Sequence, residues 1–214
     1  MDVISFLGLA GLFNAHITGN LVILAARIVG AGPAPVAIIL SVPIFMLALF
    51  LTRLLSRRLE SGGLDSLRPL LLIEVLLLAG FFGICVFAGS HVDPTAATGI
   101  LGGMLGVSAM AVQNALVQVS LTGVPATTAM TANITRFTLD LVDGLVGRDP
   151  EAVAAARRRA SATWPPIAGF AVGCGAGAAC EAALAMRALA LPLGLAVLAF
   201  ILSSVGRDAE KHRA

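Results

Sequence analysis

Ionisable side chains are scarce in this chain of 214 residues: Asp, Glu, Lys and Arg make up 12% of it, against 58% hydrophobic residues. A soluble domain carries about 25% charged residues, and a soluble fold of this size cannot hide so much apolar surface. The formal net charge of +2 is too small for a nucleic-acid-binding surface, and the basic residues sit in short connections rather than along one helix face. Cys85, Cys174 and Cys180 lie in apolar stretches with no CxxC spacing and no histidine nearby in sequence. That pattern supports neither a disulfide framework nor a zinc site and leaves packing as their role. HExxH, GxSxG, P-loop and Rossmann patterns are missing, and three scattered histidines do not supply a catalytic cluster. No catalytic residue, metal or cofactor is therefore expected, and the chain does not read as an enzyme. The N-terminus lacks the basic n-region of a signal peptide, and Asn14 and His16 interrupt its apolar run, so no cleaved leader is expected.

What the chain has instead is long apolar runs. A hydrocarbon core about 30 Å thick takes roughly 20 apolar residues per helical span. Pro35 to Thr52, Pro69 to Gly89, Ala96 to Gln118, Trp164 to about Glu181, and Ala188 to Val205 meet that length, with Pro or polar residues at their ends. Two further segments are apolar but polar-spotted: Asp2 to Val29, with Asn14, His16, Thr18 and Asn20, and Thr127 to Leu145, with Thr131, Asn133, Arg136 and Asp140. Neither reads as a simple lipid-facing helix. The expected fold is all-α, a polytopic transmembrane helical bundle with the lipid bilayer as its solvent.

Loop charges set the orientation, because Lys and Arg accumulate on the cytoplasmic side. Arg53, Arg57, Arg58 and Arg68 flank one connection, Arg148, Arg157, Arg158 and Arg159 fill a second, and Arg207, Lys211 and Arg213 form the tail. The connections Gly30 to Ala34 and Ser90 to Thr95 carry none. Six crossings with both termini cytoplasmic satisfy this pattern, and a bacterial inner membrane is the expected location. In the second basic connection, Asp149, Pro150 and Glu151 have the chemistry of an N-cap, a first-turn proline and a dipole-matched acid. They predict a short helix over Pro150 to Ala162, against the plainer reading of a solvated connector.

The two polar-spotted segments share a pattern: His16-Ile17-Thr18-Gly19-Asn20-Leu21 aligns with Ala129-Met130-Thr131-Ala132-Asn133-Ile134. Each copy is followed by two spanning segments, which divides the chain into halves at 1–89 and 90–214. After the first motif segment the next connection lacks basic residues and the following one is Arg-rich; after the second, that order reverses. Two inverted-topology halves of about three spans each follow, an arrangement common among secondary transporters, whose sites lie where interrupted helices meet. Thr18 and Thr131 are expected to cap helices starting just after them, Gly19 and Ala132 to allow close backbone approach, and Asn20 and Asn133 to offer donor and acceptor groups. Interrupted backbone at membrane depth needs protein or water around it, so the two motifs are expected to face each other inside the protein.

Val3-Ile4-Ser5-Phe6-Leu7-Gly8-Leu9, Phe13-Asn14-Ala15-His16-Ile17-Thr18-Gly19-Asn20, Gln113-Asn114-Ala115-Leu116 and Met130-Thr131-Ala132-Asn133 resemble the YoaK-like family of bacterial inner-membrane proteins, a domain of unknown function. The resemblance covers nearly the whole chain. It implies a multi-pass protein without an established catalytic activity. Members of the family usually have more hydrophobic sequence before the position matched by Asp2, so the resemblance also implies a first helix that begins partway along.

The expected function is a secondary transporter or permease-like protein for a small polar or anionic solute, the alternative being a non-transporting scaffold or accessory subunit. Thr18, Asn20, Thr131 and Asn133 are the expected solute contacts, with His16, Asn114 and Asp140 secondary. Each also has a plainer reading. Arg136 and Asp140, four apart on one helix face, suit an ion pair. Glu74 suits snorkelling to the interface or pairing with Arg68, against a buried coupling carboxylate. Glu181 suits Arg187, and His16 suits a neutral interior imidazole as well as a proton carrier. Asn14, Gln113, Asn114 and Gln118 suit interhelical hydrogen bonds as well as a pathway. The GxxxG spacings Gly99/Gly103, Gly102/Gly106 and Gly173/Gly177 permit close helix contact within the chain or in a homo-oligomer.

Overall fold

A computed structural model of the chain describes residues 1–31, 35–88, 92–120 and 129–211, with side chains for all of these except 31, 120 and 205–211. The connection at Gly30 to Ala34, the start of the one at Ser90 to Thr95, and Arg213 therefore fall partly or wholly outside the described residues. Among the described residues the fold is all-helical, without strands. The helices are α1 (Asp2–Gly8), α2 (Ile17–Ala26, continued by a π-turn at Arg27–Ala31), α3 (Val36–Ser61), α4 (Leu67–Phe87), α5 (Ala97–Ser120), α6 (Met130–Val146), α7 (Pro150–Leu184) and α8 (Ala190–Lys211), with a 3₁₀ turn at Ala185–Leu189 before α8.

Four stretches are long and apolar enough to cross a membrane: Val36–Ser61, Leu67–Phe87, Ala97–Val119 and the run Pro150–Ser204. The first three match the expected spans. The fourth covers two of them and is divided at Ala185, whose φ of 50° lies in the left-handed region that a non-glycine residue adopts only at a break. Proline and polar residues set the ends. Pro69 falls in the first turn of α4, where a missing N–H costs nothing, and Asp65 Oδ1 accepts the Leu67 N–H at 3.0 Å. Gly63, at φ 71°, closes α3 while the Leu64 N–H donates to Leu59 O at 2.9 Å, the left-handed helix stop that glycine favours. In the connection between α4 and α5, Asp93 accepts from the Thr95 hydroxyl and N–H at 2.7 and 2.8 Å. These bonds, the hydroxyl first, hold its carboxyl below the ordinary value.

The described residues form two compact units, Met1–Thr122 with Gly177–Ala214, and Gly123–Ala176. In the first, α5 packs against α4 and α3, α4 against α8, and α2 against α3. α5 is the most enclosed span because its glycines are filled by neighbours: a methyl on Gly102 would meet Phe81 and Ile84, one on Gly103 would meet Leu12, and one on Gly106 would meet Asn14 and Phe81. A methyl on Gly99 would lie 2.2 Å from the carbonyl oxygen of Asp93. The expected close contact at these spacings is thus made within the chain. Ile4, Leu9, Leu12, Ile38, Phe81, Cys85, Val107 and Leu189 form the main buried apolar cluster.

In the second unit, Asp149 Oδ1 accepts the Glu151 N–H at 3.1 Å, so Asp149-Pro150-Glu151 opens a helix as the sequence predicts. The helix does not stop at Ala162. It runs on through Pro165 and Pro166 as one helix of 35 residues. Proline's fixed φ is itself helical, and its interior penalty of about 3 kcal/mol is outweighed here by unbroken helix on both sides.

Candidate functional site

The site begins with a chain break. α1 ends at Gly8, and the backbone turns out of the helix through Leu9 (φ −125°), Ala10 (φ 53°) and Gly11 (φ 89°). Only Gly11 adopts such an angle without strain. Leu9 and Leu12, both buried, anchor the turn in the apolar cluster, and a new helix starts at Ile17.

Three polar groups hold the break. Asp2 Oδ1 accepts the N–H groups of Asn14 and Ala15, each at 2.8 Å, and Oδ2 accepts the His16 N–H at 3.2 Å and pairs with the His16 ring. One carboxylate therefore satisfies three backbone donors ahead of α2, in charge-assisted bonds stronger than neutral ones. Asn20, one turn into α2, reaches back to Phe13: its Oδ1 accepts the Phe13 N–H at 2.9 Å, and its Nδ2 donates to Phe13 O at 2.7 Å and to Ser41 Oγ of α3 at 2.9 Å. The amide thus pairs with a peptide group as a neighbouring strand would, and Phe13, outside any helix, keeps both its backbone groups satisfied. Asn14, fully buried, donates to Ser5 Oγ, while its Oδ1 has no hydrogen-bond partner. Phe13 stacks on Phe6 with ring centroids 4.8 Å apart and lies against Gly19, where a methyl would be 2.9 Å from the ring.

The second motif copy, in the other unit, starts its helix at the same register. Ile17 and Met130 are the first residues of α2 and α6, preceded by His16 (φ −87°, ψ 64°) and Ala129 (φ −96°, ψ 36°). Asn20 and Asn133 are buried, at 0% and 3% exposure, whereas Thr18 and Thr131 are exposed. The threonines are therefore not helix caps. Each occupies the second position of its helix and points outward, because the helix begins two residues earlier than the Thr-small-Asn pattern suggests. Gly19 is approached by a phenyl ring rather than by backbone, and only that copy needs glycine.

Other expected partners change as well. Asp140 pairs with Arg159 of α7, whose Nε and Nη2 both lie 2.7 Å from Oδ1, and not with Arg136, which is exposed on its own helix. Arg157 Nε donates to Gly144 O at 3.2 Å, so α7 clasps α6 at two points. Arg68 donates to Ser204 Oγ at 2.6 Å and lies over Phe200 at 5.5 Å, leaving Glu74 to pack inward. Glu181 and Arg187 make no ion pair, being separated by the left-handed turn at Ala185. Asn114 turns its Nδ2 to Met110 O of its own helix at 3.1 Å.

Within the first unit the site thus joins Asp2, Ser5, Asn14, His16, Asn20 and Ser41. Sequence reasoning singled out His16 and Asn20, weighed Asn14, and missed Asp2, Ser5 and Ser41. An acid at the first residue of an apolar segment was the available signal for Asp2; nothing in the spacing pointed to Ser5 or Ser41. No group of three or more His, Cys, Asp or Glu side chains able to hold a metal occurs among the described residues.

A protein all-helical among its described residues, with four membrane-length apolar stretches and a buried polar cluster at the break between two short helices, is the class these features define. Within it, the chain belongs to a family described as a protein of unknown function (DUF1275), whose model matches residues 1–202. No curated protein and no solved structure matches the chain.

Proposed function

We propose that the protein is a secondary transporter or permease-like protein of the bacterial inner membrane, with both termini cytoplasmic and two inverted halves, that moves a small polar or anionic solute. On the residues quoted above we place it among the YoaK-like proteins. The reading rests on one observation: a helix interrupted at Leu9 to His16 whose backbone N–H groups converge on a carboxylate, that of Asp2. Three such donors ahead of a helix N-terminus suit an anion or a hydrogen-bond acceptor, and a solute of that chemistry takes the cradle by displacing Asp2. The like register of the two Thr-small-Asn copies supports the inverted repeat, and Thr18, Asn20, Thr131 and Asn133 remain the proposed solute contacts, with His16, Asn114 and Asp140 secondary. Of the GxxxG pairs, Gly173 with Gly177 on α7 is the one we propose for a homo-oligomer, since among the described residues a methyl on Gly173 meets nothing within 4 Å whereas Gly99, Gly102, Gly103 and Gly106 of α5 are filled.

The test is flux into vesicles reconstituted with wild type, Asn20→Ala or Asn133→Ala, across a panel of small anions and polar solutes. We expect at least one solute whose uptake falls tenfold or more in both variants; a panel with no motif-dependent solute removes the proposal. One observation favours a second reading, a non-transporting scaffold or accessory subunit: Asn20 spends its amide on Phe13 and Ser41. That reading expects the same substitutions to lower the unfolding temperature in detergent and to change no flux.

A further inference from the structure

Glu74 is a carboxyl group in the wrong surroundings for a charge. It lies seven residues into α4, about 10 Å along the helix at 1.5 Å per residue, and is 3% exposed. It shares the buried face of that helix with Leu70, Leu71, Leu78, Phe81 and Cys85. On one side of it Leu70 and Leu71 pack with Val112 and Leu116 of α5 and with Phe200 of α8. On the other, Leu78 packs with Ala109 and Met110 of α5 and Ala196 of α8. Glu74 therefore sits at the seam of three helices, between two apolar layers, and makes no hydrogen bond or ion pair among the described residues.

Among the described side chains, the charged groups on the packed elements are occupied elsewhere or turned out. Residues 97–120 of α5 and 190–204 of α8 include no ionisable side chain. On α3, Arg53, Arg57, Arg58 and Glu60 are exposed, and Arg53 and Glu60 face each other at 3.7 Å. Arg68 is spent on Ser204 and Phe200, and Arg187 of the turn packed against α4 is exposed. Asp2 and His16 hold each other. The side chain of Met1 packs on the Leu78 layer. Cys85, two turns and more along the same face, is a thiol. An ionised carboxylate buried among such groups costs far more than a proton does, and the group neutralises instead. In a bilayer an ionisable residue with no partner marks an ion or proton path.

We propose that Glu74 is a proton-binding site: a carboxylic acid that keeps its proton while α4, α5 and α8 are packed and exchanges it when that seam opens to water. It supplies the coupling ion for the transport reading above, and rests on that reading for the coupling alone. No second reactant is needed, since the step is the transfer of one proton between the Glu74 carboxyl and water.

The test is infrared spectroscopy of the full chain in lipid vesicles at about pH 8, where a solvated glutamate with an ordinary value near 4.3 is ionised in all but about one molecule in 5,000. Wild type should show a carboxylic-acid carbonyl band that Glu74→Gln lacks, and the band should shift on transfer to D₂O. Dicyclohexylcarbodiimide, an apolar reagent for the acid form, assigns the band without a variant. The acid proton moves to a carbodiimide nitrogen, the carboxyl oxygen bonds to the central carbon, and acyl migration leaves an N-acylurea on Glu74, found by mass spectrometry, as the band disappears. Carboxylate bands in place of the acid band overturn the proposal, as does an acid band that never shifts in D₂O. Either result leaves motif-dependent flux untouched. Failure of flux removes the transport reading while an exchangeable acid band at Glu74 stands.

Discussion

The two Thr-small-Asn copies begin alike and are held differently. In both, the helix opens one residue before the threonine, the threonine faces outward and the asparagine is buried. In the first copy the asparagine closes a broken chain by pairing with the Phe13 peptide. One turn or more beyond the second, Asp140 instead takes a guanidinium from α7. The comparison teaches that a six-residue pattern sets a helix start and its buried face, while the polar groups that hold each helix come from elsewhere in its unit: Asp2 and Ser41 ahead of and against α2, Arg159 further along α6.

Three pairs of substitutions test how far the likeness goes. The largest effect is expected at Asn20→Ala, which leaves the buried N–H and C=O of Phe13 without partners at about 1–3 kcal/mol each. A loss of about 3 kcal/mol is expected in thermal or denaturant unfolding in detergent, and equivalent copies require a comparable loss at Asn133→Ala. A clearly smaller loss there confines the latch to the first unit. An intermediate effect is expected at Asp140→Asn. Its partner Arg159 is 57% exposed, so solvent screening holds the cost to about 1 kcal/mol or less. Arg136→Gln should do nothing comparable, and an equal loss in that variant would restore the same-helix pair. The smallest effects belong to Thr18→Ala and Thr131→Ala, exposed in both copies. Each should shift stability by no more than about 0.5 kcal/mol, so a large flux defect in either, with stability unchanged, would single out the threonines as solute contacts.

Hydropathy and turn residues carried much of the fold. The spans over α3, α4 and α5 and the acidic start of α7 were legible because apolar length and local capping chemistry act within a few residues of where they are written. Continuation of α7 through Pro165 and Pro166 was not, because a proline pair reads as punctuation whatever the helix around it does. At the site, Asn20 and His16 stood out as polar residues in an apolar run. Asp2, twelve to fourteen residues from the N–H groups it holds, and Ser41, twenty-one residues from Asn20, did not.

Composition alone thus determined that this chain is helical and suited to a bilayer, since too little charge is present for any soluble core. Tertiary structure decided which polar group meets which: that Asp2 fills the cradle ahead of α2, that Arg159 and not Arg136 answers Asp140, and that Glu74 turns inward while Arg68 turns to α8. The physical reason is that burial and apolar length are sums over local sequence, whereas a buried polar group is satisfied only by whatever partner the packing brings within about 3 Å.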